Sequence, residues 1–404
     1  MSWEVRKLQE LCSVITKGTT PSNIGQVFTQ SGVKYIRSEM ITSSKYVSGK
    51  FLYISDETHQ KLKRSQLQAG DILFSMAGVY LGKTALLRQE DIPSNTNQAV
   101  ALIRVDSSKC NNEFIYYYLN LPEVVQRINA IQSQSAQPNI NLKQIGNLDI
   151  EIPEISVQEK VVKVLAVYDD LIENNRKQTK LLGEAAQRLY KEWFVDLRFP
   201  GYEHTKITDG VPEGWEQSTV AAVSSVLRRG ISPRYNENGK SVVINQKCIR
   251  QTVVTFDESR KQEKLYPEDL NLQDSDTVIC STGAGTLGRV GQIFGNYPDT
   301  TLDSHVTLVR AKEGFGKQYL FQSLNSRQTY LMGMGKGSTN QLELNRGTIQ
   351  DLDIYIPSKK VLNQFEQVAQ PIHDKISVIS KSILQLQTAR NRLLPKLMSG
   401  EVKV

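Results

Sequence analysis

Between Val157 and Phe194 apolar side chains recur at alternating steps of four and three: Val161, Leu165, Tyr168, Ile172, Leu182, Ala186, Leu189 and Trp193, with Asn175 and Thr179 as the polar members of the series. The residues between them are mostly charged, among them Lys163, Asp169, Asp170, Glu173, Arg176, Lys177, Lys180, Glu184 and Arg188. A narrow apolar seam at a period of 3.5 predicts a coiled-coil helix. The stretch contains no proline, and at about 1.5 Å per residue it would be roughly 55 Å long. Such a helix is too long and too narrow-faced for an ordinary core position, so it requires a partner helix.

The same chain supplies one. Moving each position on by 204 (365 − 161) gives Phe365, Ala369, Ile372, Ile376, Ile379, Ile383, Leu386, Arg390, Leu393 and Leu397, apolar except for Arg390. The lead-ins match as well, since Leu148–Pro153 and Leu352–Pro357 both read L-D-I-x-I-P. A repeat of half the chain is too long for a solenoid. It predicts two equivalent halves, each a globular domain followed by a long helix, with limits at 1–152, 153–199, 200–356 and 357–404. Pro371 predicts a kink or break in the second helix. Asn175 and Thr179 meet only apolar residues at the matching places, which either fixes register at some cost in stability or is one imperfect heptad.

Within 1–152 the pattern is mixed α/β. Trp3–Val14 reads as a strand or short helix, and Lys17–Pro21 as a loop. Lys34–Arg37, Asp71–Ser75, Gly82–Leu87 and Val100–Val105 read as strands, Glu113–Asn120 and Pro122–Ile131 as helices, and Gln132–Asn141 as a polar loop. Residues 200–356 repeat this layout. Trp3 recurs as Trp215, Lys17-Gly18 as Arg229-Gly230, Leu81-Gly82-Lys83 as Leu287-Gly288-Arg289, Val100 and Arg104 as Val306 and Arg310, and Gln137 and Asn141 as Gln341 and Asn345. The matched residues read as framework. Segments 22–70 and 234–275 match poorly, so one scaffold is expected to carry two different surfaces.

Composition adds little until charge is considered. With 404 residues, 39% hydrophobic and 23% charged, the chain is of ordinary globular character with room for two or three domains. A net charge of +7 leans toward a polyanionic partner. Cys12, Cys110, Cys248 and Cys280 show no metal-binding spacing, which suits a reducing, cytoplasmic setting. The N-terminal residues carry charge where a signal peptide needs an apolar core, and no apolar run approaches the roughly 20 residues of a membrane span.

Catalytic motifs are weak. Gly283-Ala284-Gly285-Thr286-Leu287-Gly288 fits G-x-G-x-x-G, but Arg289–Phe294 after it reads as a strand where a nucleotide site requires a helix. Gly82-Lys83-Thr84 lacks the correctly spaced glycine of a phosphate loop. His59, His204, His305 and His373 have no metal spacing, and nothing marks a nucleophile for His305 to activate, so all four read as structural. No amino-methyltransferase motif is present. Together these point to a binding protein with no metal site. Basic and amide side chains instead populate the loops: Lys17, Arg37, Lys61, Lys63, Arg64, Lys83, Gln137 and Asn141 in the first half; Arg228, Arg229, Arg234, Arg250, Arg260, Lys261, Lys264, Arg289, Gln341 and Asn345 in the second. Lys and Arg can contact phosphates, while Arg, Asn and Gln can read base edges. These are the candidate DNA-binding residues, each with the alternative of lying on a merely solvated face.

Two stretches carry a family resemblance. Asp169–Gln178 with Leu181-Leu182 and Lys191–Asp196, and the ending Arg392–Glu401, resemble the central and C-terminal conserved regions of specificity subunits of type I restriction–modification systems. The domain–helix–domain–helix order is also that family's. The resemblance implies two target-recognition domains, each reading one half of a split, asymmetric double-stranded DNA sequence through the major groove. It implies an antiparallel helix pair acting as spacer, and hence a pseudo-two-fold molecule. Two methyltransferase subunits would dock on the outward faces of 161–193 and 365–397, with Trp193-Phe194 as a candidate anchor. S-adenosylmethionine, ATP and Mg would belong to those and to motor-nuclease subunits, and this chain would be non-catalytic and bind no cofactor. The alternatives are a coiled-coil scaffold without specific DNA binding and a self-contained methyltransferase or nuclease.

Overall fold

The computed structural model describes residues 3–42, 44–78, 81–130, 139–250, 252–283, 285–335 and 342–404. The chain forms two compact units, Met1–Glu173 with Leu384–Val404, and Asn174–Ile383.

The first unit begins with a two-stranded antiparallel ribbon, Glu4–Lys7 against Asp149–Ile152. Trp3–Val14 is thus resolved into that strand, a 3-10 turn at Leu8–Leu11 and the start of a second strand, Cys12–Lys17. The second strand opens a four-stranded antiparallel sheet in the order Cys12–Lys17, Val100–Val105, Ile72–Ser75, Thr84–Leu86. Ile72–Ser75 is buried throughout, which is why it reads as a continuous apolar run rather than an alternation. A smaller mixed sheet is ordered Leu52–Ile54, Val33–Ile36, Ser94–Thr96. Asn111 caps the helix Asn112–Leu119 by accepting from the Glu113 and Phe114 amides, and the helix drives Phe114, Ile115 and Tyr116–Leu119 into the core. A capping box of Asn141 and Gln144 starts the short helix Leu142–Gly146.

The second unit repeats this plan. Glu216–Thr219 pairs with Asp353–Ile356. The four-stranded sheet runs Ser224–Arg229, Val306–Ala311, Thr277–Cys280, Val290–Gln292, and the mixed sheet Arg260–Gln262, Ser241–Ile244, Thr300–Leu302. Even the irregularity recurs, with a bulge at Cys12/Val14 and again at Ser224/Val226. Close packing of backbone on backbone accounts for Gly18 and Gly230. A Cβ on Gly18 would lie 1.8 Å from the Thr96 carbonyl oxygen, and one on Gly230 2.0 Å from that of Leu302. Among the described residues the hairpin Ile207–Pro212 belongs to the second unit alone; its two-residue turn, Asp209-Gly210, has φ of 51° and 79° as a type I′ turn requires.

Each ribbon ends where a proline interrupts the ladder, and a long helix follows: Ile155–Tyr190, then a π turn at Lys191–Val195, and Lys359–Met398. The second helix runs unbroken across Pro371, so the expected break is absent. Pro371 and Gln367 are both exposed, so the carbonyl that loses its amide donor can be hydrated.

The pairing is antiparallel in both units. In the first, Val161 and Leu165 pack in one cluster with Leu393, Leu394, Leu397 and Met398. In the second, Tyr190 and Phe365 rings lie 6.4 Å apart, and Trp193 and Phe365 5.9 Å apart. Ile172, Ala186, Phe365, Ala369, Ile376 and Ile379 are also buried, whereas Leu182, Leu189, Trp193, Ile372, Ile383 and Leu386 are half-buried. Two features correct the seam. Asp169, expected on the outer face, is buried; its carboxylate accepts from the Tyr117 hydroxyl at 2.6 Å and pairs with Arg390, the one charged seam position of the second helix. Asn175 meets a polar neighbour after all, donating to the Ser382 hydroxyl at 3.4 Å, and Thr179 donates to the Asn175 carbonyl at 3.0 Å.

Candidate nucleic-acid interface

In the second unit the three-stranded mixed sheet ends in the strand Arg260–Gln262, paired to Ser241–Val243. Gln262 is fully buried and anchors the strand: its side-chain oxygen accepts the Lys264 amide at 2.7 Å, and its side-chain nitrogen donates to the Lys264 carbonyl at 2.8 Å and to the Ser241 hydroxyl. A bridge from Tyr235 to Gln262, with backbone bonds from Asn236 N–H to the Lys261 carbonyl and from Glu263 N–H to the Arg234 carbonyl, folds segment 234–236 onto the same strand. The structure therefore gathers Arg234, Arg260, Lys261 and Lys264. The Arg260 guanidinium carbon sits over the Tyr235 ring, 3.6 Å from its centroid, a separation short enough to require face-on stacking. Lys264 donates to the Ser232 carbonyl at 3.0 Å, and Arg234 stands 3.8 Å from Glu263.

Other cationic candidates of this unit are engaged by the protein itself. Arg228 pairs with Asp269 at 3.3 Å, and Arg250 with Glu258 at 3.2 Å. Arg229 pairs with Glu343 and donates to the Leu344 carbonyl. Arg289 donates to the carbonyls of Gly285 at 2.6 Å and Ile249 at 3.5 Å. The Asn345 side chain caps the helix Arg346–Gln350, as Asn141 caps its counterpart.

In the first unit, Lys61 ends the Ser55-capped helix Asp56–Lys61 and pairs with Glu57 at 2.7 Å. Lys63 and Lys17 are exposed, and Arg64 reaches the Thr19 hydroxyl at 3.5 Å, which brings the 61–64 stretch to the Lys17-Gly18-Thr19 turn. Tyr35 donates to the Thr19 carbonyl at 2.9 Å, and burial pushes its hydroxyl up to about 12. Arg37 pairs with Glu39 at 2.6 Å, and Lys83 is half-buried. Gln137 and Gln341 lie outside the described residues. Both units carry the same ion pair on a buried carboxylate. Arg104 grips Asp71 at 2.8 and 2.7 Å, and Arg310 grips Asp276 at 2.7 Å twice. Burial pushes both carboxyls above their ordinary value, against the pull of the arginines.

The glycine fingerprint falls between two antiparallel strands, Thr277–Cys280 and Val290–Gln292, and among the described residues no helix opens after it. His373 is buried, stacked on Phe294 at 4.5 Å and bonded to Gln292 at 3.0 Å and Asp274 at 3.2 Å. Among the described residues no group of three or more His, Cys, Asp or Glu side chains is arranged to hold a metal, and no helix is long and apolar enough to cross a membrane. Tyr235 was invisible to sequence reasoning, because its stacking partner is in a separate strand of a variable segment.

Comparison with known proteins gives the geometry a context. Residues 1–182 match the family model of the type I restriction modification DNA specificity domain. The type I restriction enzyme MjaIX specificity subunit of Methanocaldococcus jannaschii is 24% identical over 418 residues, covering 100% of this chain and 94% of that protein. A putative MjaX specificity subunit of the same organism is 23% identical, with 100% and 94% covered. The crystal structure of the S subunit of a type I restriction–modification system from M. genitalium shares the fold, with a TM-score of 0.55 at 15% identity over 98% of this chain and 96% of that one. The resemblance to type I specificity subunits, and the plan of two mixed α/β domains each followed by a long helix, are borne out.

Proposed function

We propose that this chain is the DNA sequence-specificity subunit of a type I restriction–modification complex and is not itself catalytic. Residues 1–152 and 200–356 are the two target-recognition domains, and 153–199 and 357–404 the conserved helices. Each domain reads one half of a split target in double-stranded DNA. Two methyltransferase subunits dock on the helices and hold the S-adenosylmethionine, and motor-nuclease subunits bring ATP and Mg. The outward faces of the helices suit a protein partner, since Val167, Leu171, Leu181, Val378 and Leu384 are exposed among charged neighbours.

One observation carries the reading: a single framework, repeated down to its bulge and its buried Arg–Asp pair, presents chemically different edges. At equivalent places in the mixed sheets stand Leu52-Tyr53-Ile54 in the first unit and Arg260-Lys261-Gln262 in the second. A duplicated protein binding a symmetric partner would need like surfaces; two unlike surfaces on one frame suit an asymmetric target. The test is the methylome of cells co-expressing this chain with the methyltransferase subunit of its system. A new N6-methyladenine pattern at a split, asymmetric motif is expected. Replacing residues 1–152 by the corresponding domain of a relative should change one half of the motif and leave the other. An assembled complex that adds no sequence-specific methylation would overturn the proposal.

A further inference from the structure

Arg260 differs from the other arginines gathered around the second unit's sheets. Arg228, Arg229, Arg234 and Arg250 each face a carboxylate, and Arg289 is spent on two backbone carbonyls. Among the described residues Arg260 has no carboxylate within ion-pair distance; its contact is the Tyr235 ring, 3.6 Å below the guanidinium. Stacking uses the face of the guanidinium and leaves the in-plane N–H groups unspent. It also restricts a long side chain that would otherwise lose rotamer freedom on binding. The result is a planar donor fork held exposed at the start of the strand.

The backbone beneath it is fixed too. Gln262 locks one end of the strand, and the Tyr235–Gln262 bridge holds the ring that carries the fork. The surroundings are cationic. Segment 232–264 contains seven basic residues (Arg234, Lys240, Lys247, Arg250, Arg260, Lys261, Lys264) against four acidic ones (Glu237, Asp257, Glu258, Glu263). Lys261 is exposed on the opposite face of the strand, and its ammonium point charge suits phosphate rather than base contact. The matching position in the first unit is Leu52, so this fork belongs to one recognition domain only.

A planar bidentate donor meets its complement in the major groove at guanine, whose O6 and N7 are adjacent acceptors. Resting on the reading of the chain as a DNA-specificity subunit, we infer that Arg260, stacked on Tyr235, reads a guanine in the half-site recognised by the second domain. Lys261 contributes affinity without sequence preference.

The experiment uses the full chain assembled with its methyltransferase subunits and a pool of randomised DNA duplexes, with bound molecules sequenced. The wild-type complex is expected to enrich a split motif in which one half contains an invariant guanine. Arg260→Ala should lower the preference for that guanine by roughly 5- to 150-fold and leave the other half-site unchanged. Arg260→Lys keeps the charge but not the fork, and it should lose the same preference while retaining affinity for random duplex within about twofold. Lys261→Ala should weaken binding evenly across sequences. Circular dichroism of each variant excludes misfolding, and Arg260→Lys, which leaves bulk and charge in place, keeps the question answerable if Arg260→Ala is unstable. If Arg260→Lys enriches the wild-type motif with unchanged position weights, the inference fails while the specificity-subunit reading stands. If Arg260→Ala weakens all sequences evenly and flattens the salt dependence by about one phosphate contact, Arg260 is a phosphate ligand and the inference also fails. A wild-type complex that enriches no motif removes the reading itself and the inference with it.

Discussion

At the scale of single residues, the repeat is held by groups with no tolerance for change. Gly230 has an ordinary φ, yet a methyl group there would sit 2.0 Å from one backbone carbonyl oxygen and 2.4 Å from the next. Backbone carbonyls at a strand end that is held by the sheet cannot step aside as a flexible side chain can. Gly230→Ala should therefore destabilise the protein by at least about 3 kcal/mol. Gly201, with φ of 90° and open space around it, should cost only about 1–2 kcal/mol as alanine. Urea unfolding of the two variants checks the difference, and equal midpoints would refute it. The recurrence of Lys17-Gly18 as Arg229-Gly230 marked these glycines as framework, and Arg104 and Arg310 likewise. The reason for each was not legible, because the carbonyl or carboxylate it meets lies in a different strand or turn: Thr96, Leu302, Asp71, Asp276. For the same reason the basic candidates could be collected from the sequence but not sorted. Arg228 and Arg260 look alike in a string of letters, and only the fold shows Asp269 beside one and Tyr235 beneath the other.

At the scale of elements, the long helices were the most legible part of the chain, since an apolar period of 3.5 residues sustained over many turns is the mark of a coiled-coil helix and matches no strand or loop. The details that escaped are those in which a polar residue is buried by a partner distant in sequence. Asp169 has the spacing of an outer-face residue, but Arg390 and Tyr117 draw it inward. A charged Arg390 in an apolar series was the available signal that a carboxylate had to face it. Removing that carboxylate leaves the buried Tyr117 phenol without its acceptor and Arg390, which still donates to the Asn391 side chain, without its counter-charge, so Asp169→Ala should lower stability by about 3 kcal/mol. Replacing both Asp169 and Arg390 by leucine should recover the part of that loss due to the unpaired guanidinium, because paired charges taken out of water are offset by apolar packing of similar volume, while the Tyr117 hydroxyl stays without its acceptor. Denaturant midpoints of the single and double variants decide it. A double variant no more stable than Asp169→Ala would mean that the pair, and not the unpaired charge, accounts for the stability.

At the scale of the whole molecule, the two helices are continuous while the units they pass through are distinct. The first helix belongs to one unit up to Glu173 and to the other from Asn174, and the second changes unit between Ile383 and Leu384. The contact Asn175–Ser382 sets an antiparallel register in which residues 174–180 stand against 377–383. Deleting both heptads preserves the phase of the seam on either side and removes about 10 Å of helix at 1.5 Å per residue. If the helix pair sets the distance between half-sites, about three base pairs of spacer should be lost at 3.4 Å each. DNA turns by about 100° over three base pairs of a 10–10.5 base-pair repeat, so the two domains could be left facing different sides of the duplex. The deletion is therefore expected either to shorten the spacer in the methylated motif by about three base pairs or to abolish specific methylation while each half-site preference survives in binding selections. A deletion variant that still assembles and methylates the original motif with its original spacer would show that the helices do not measure the target.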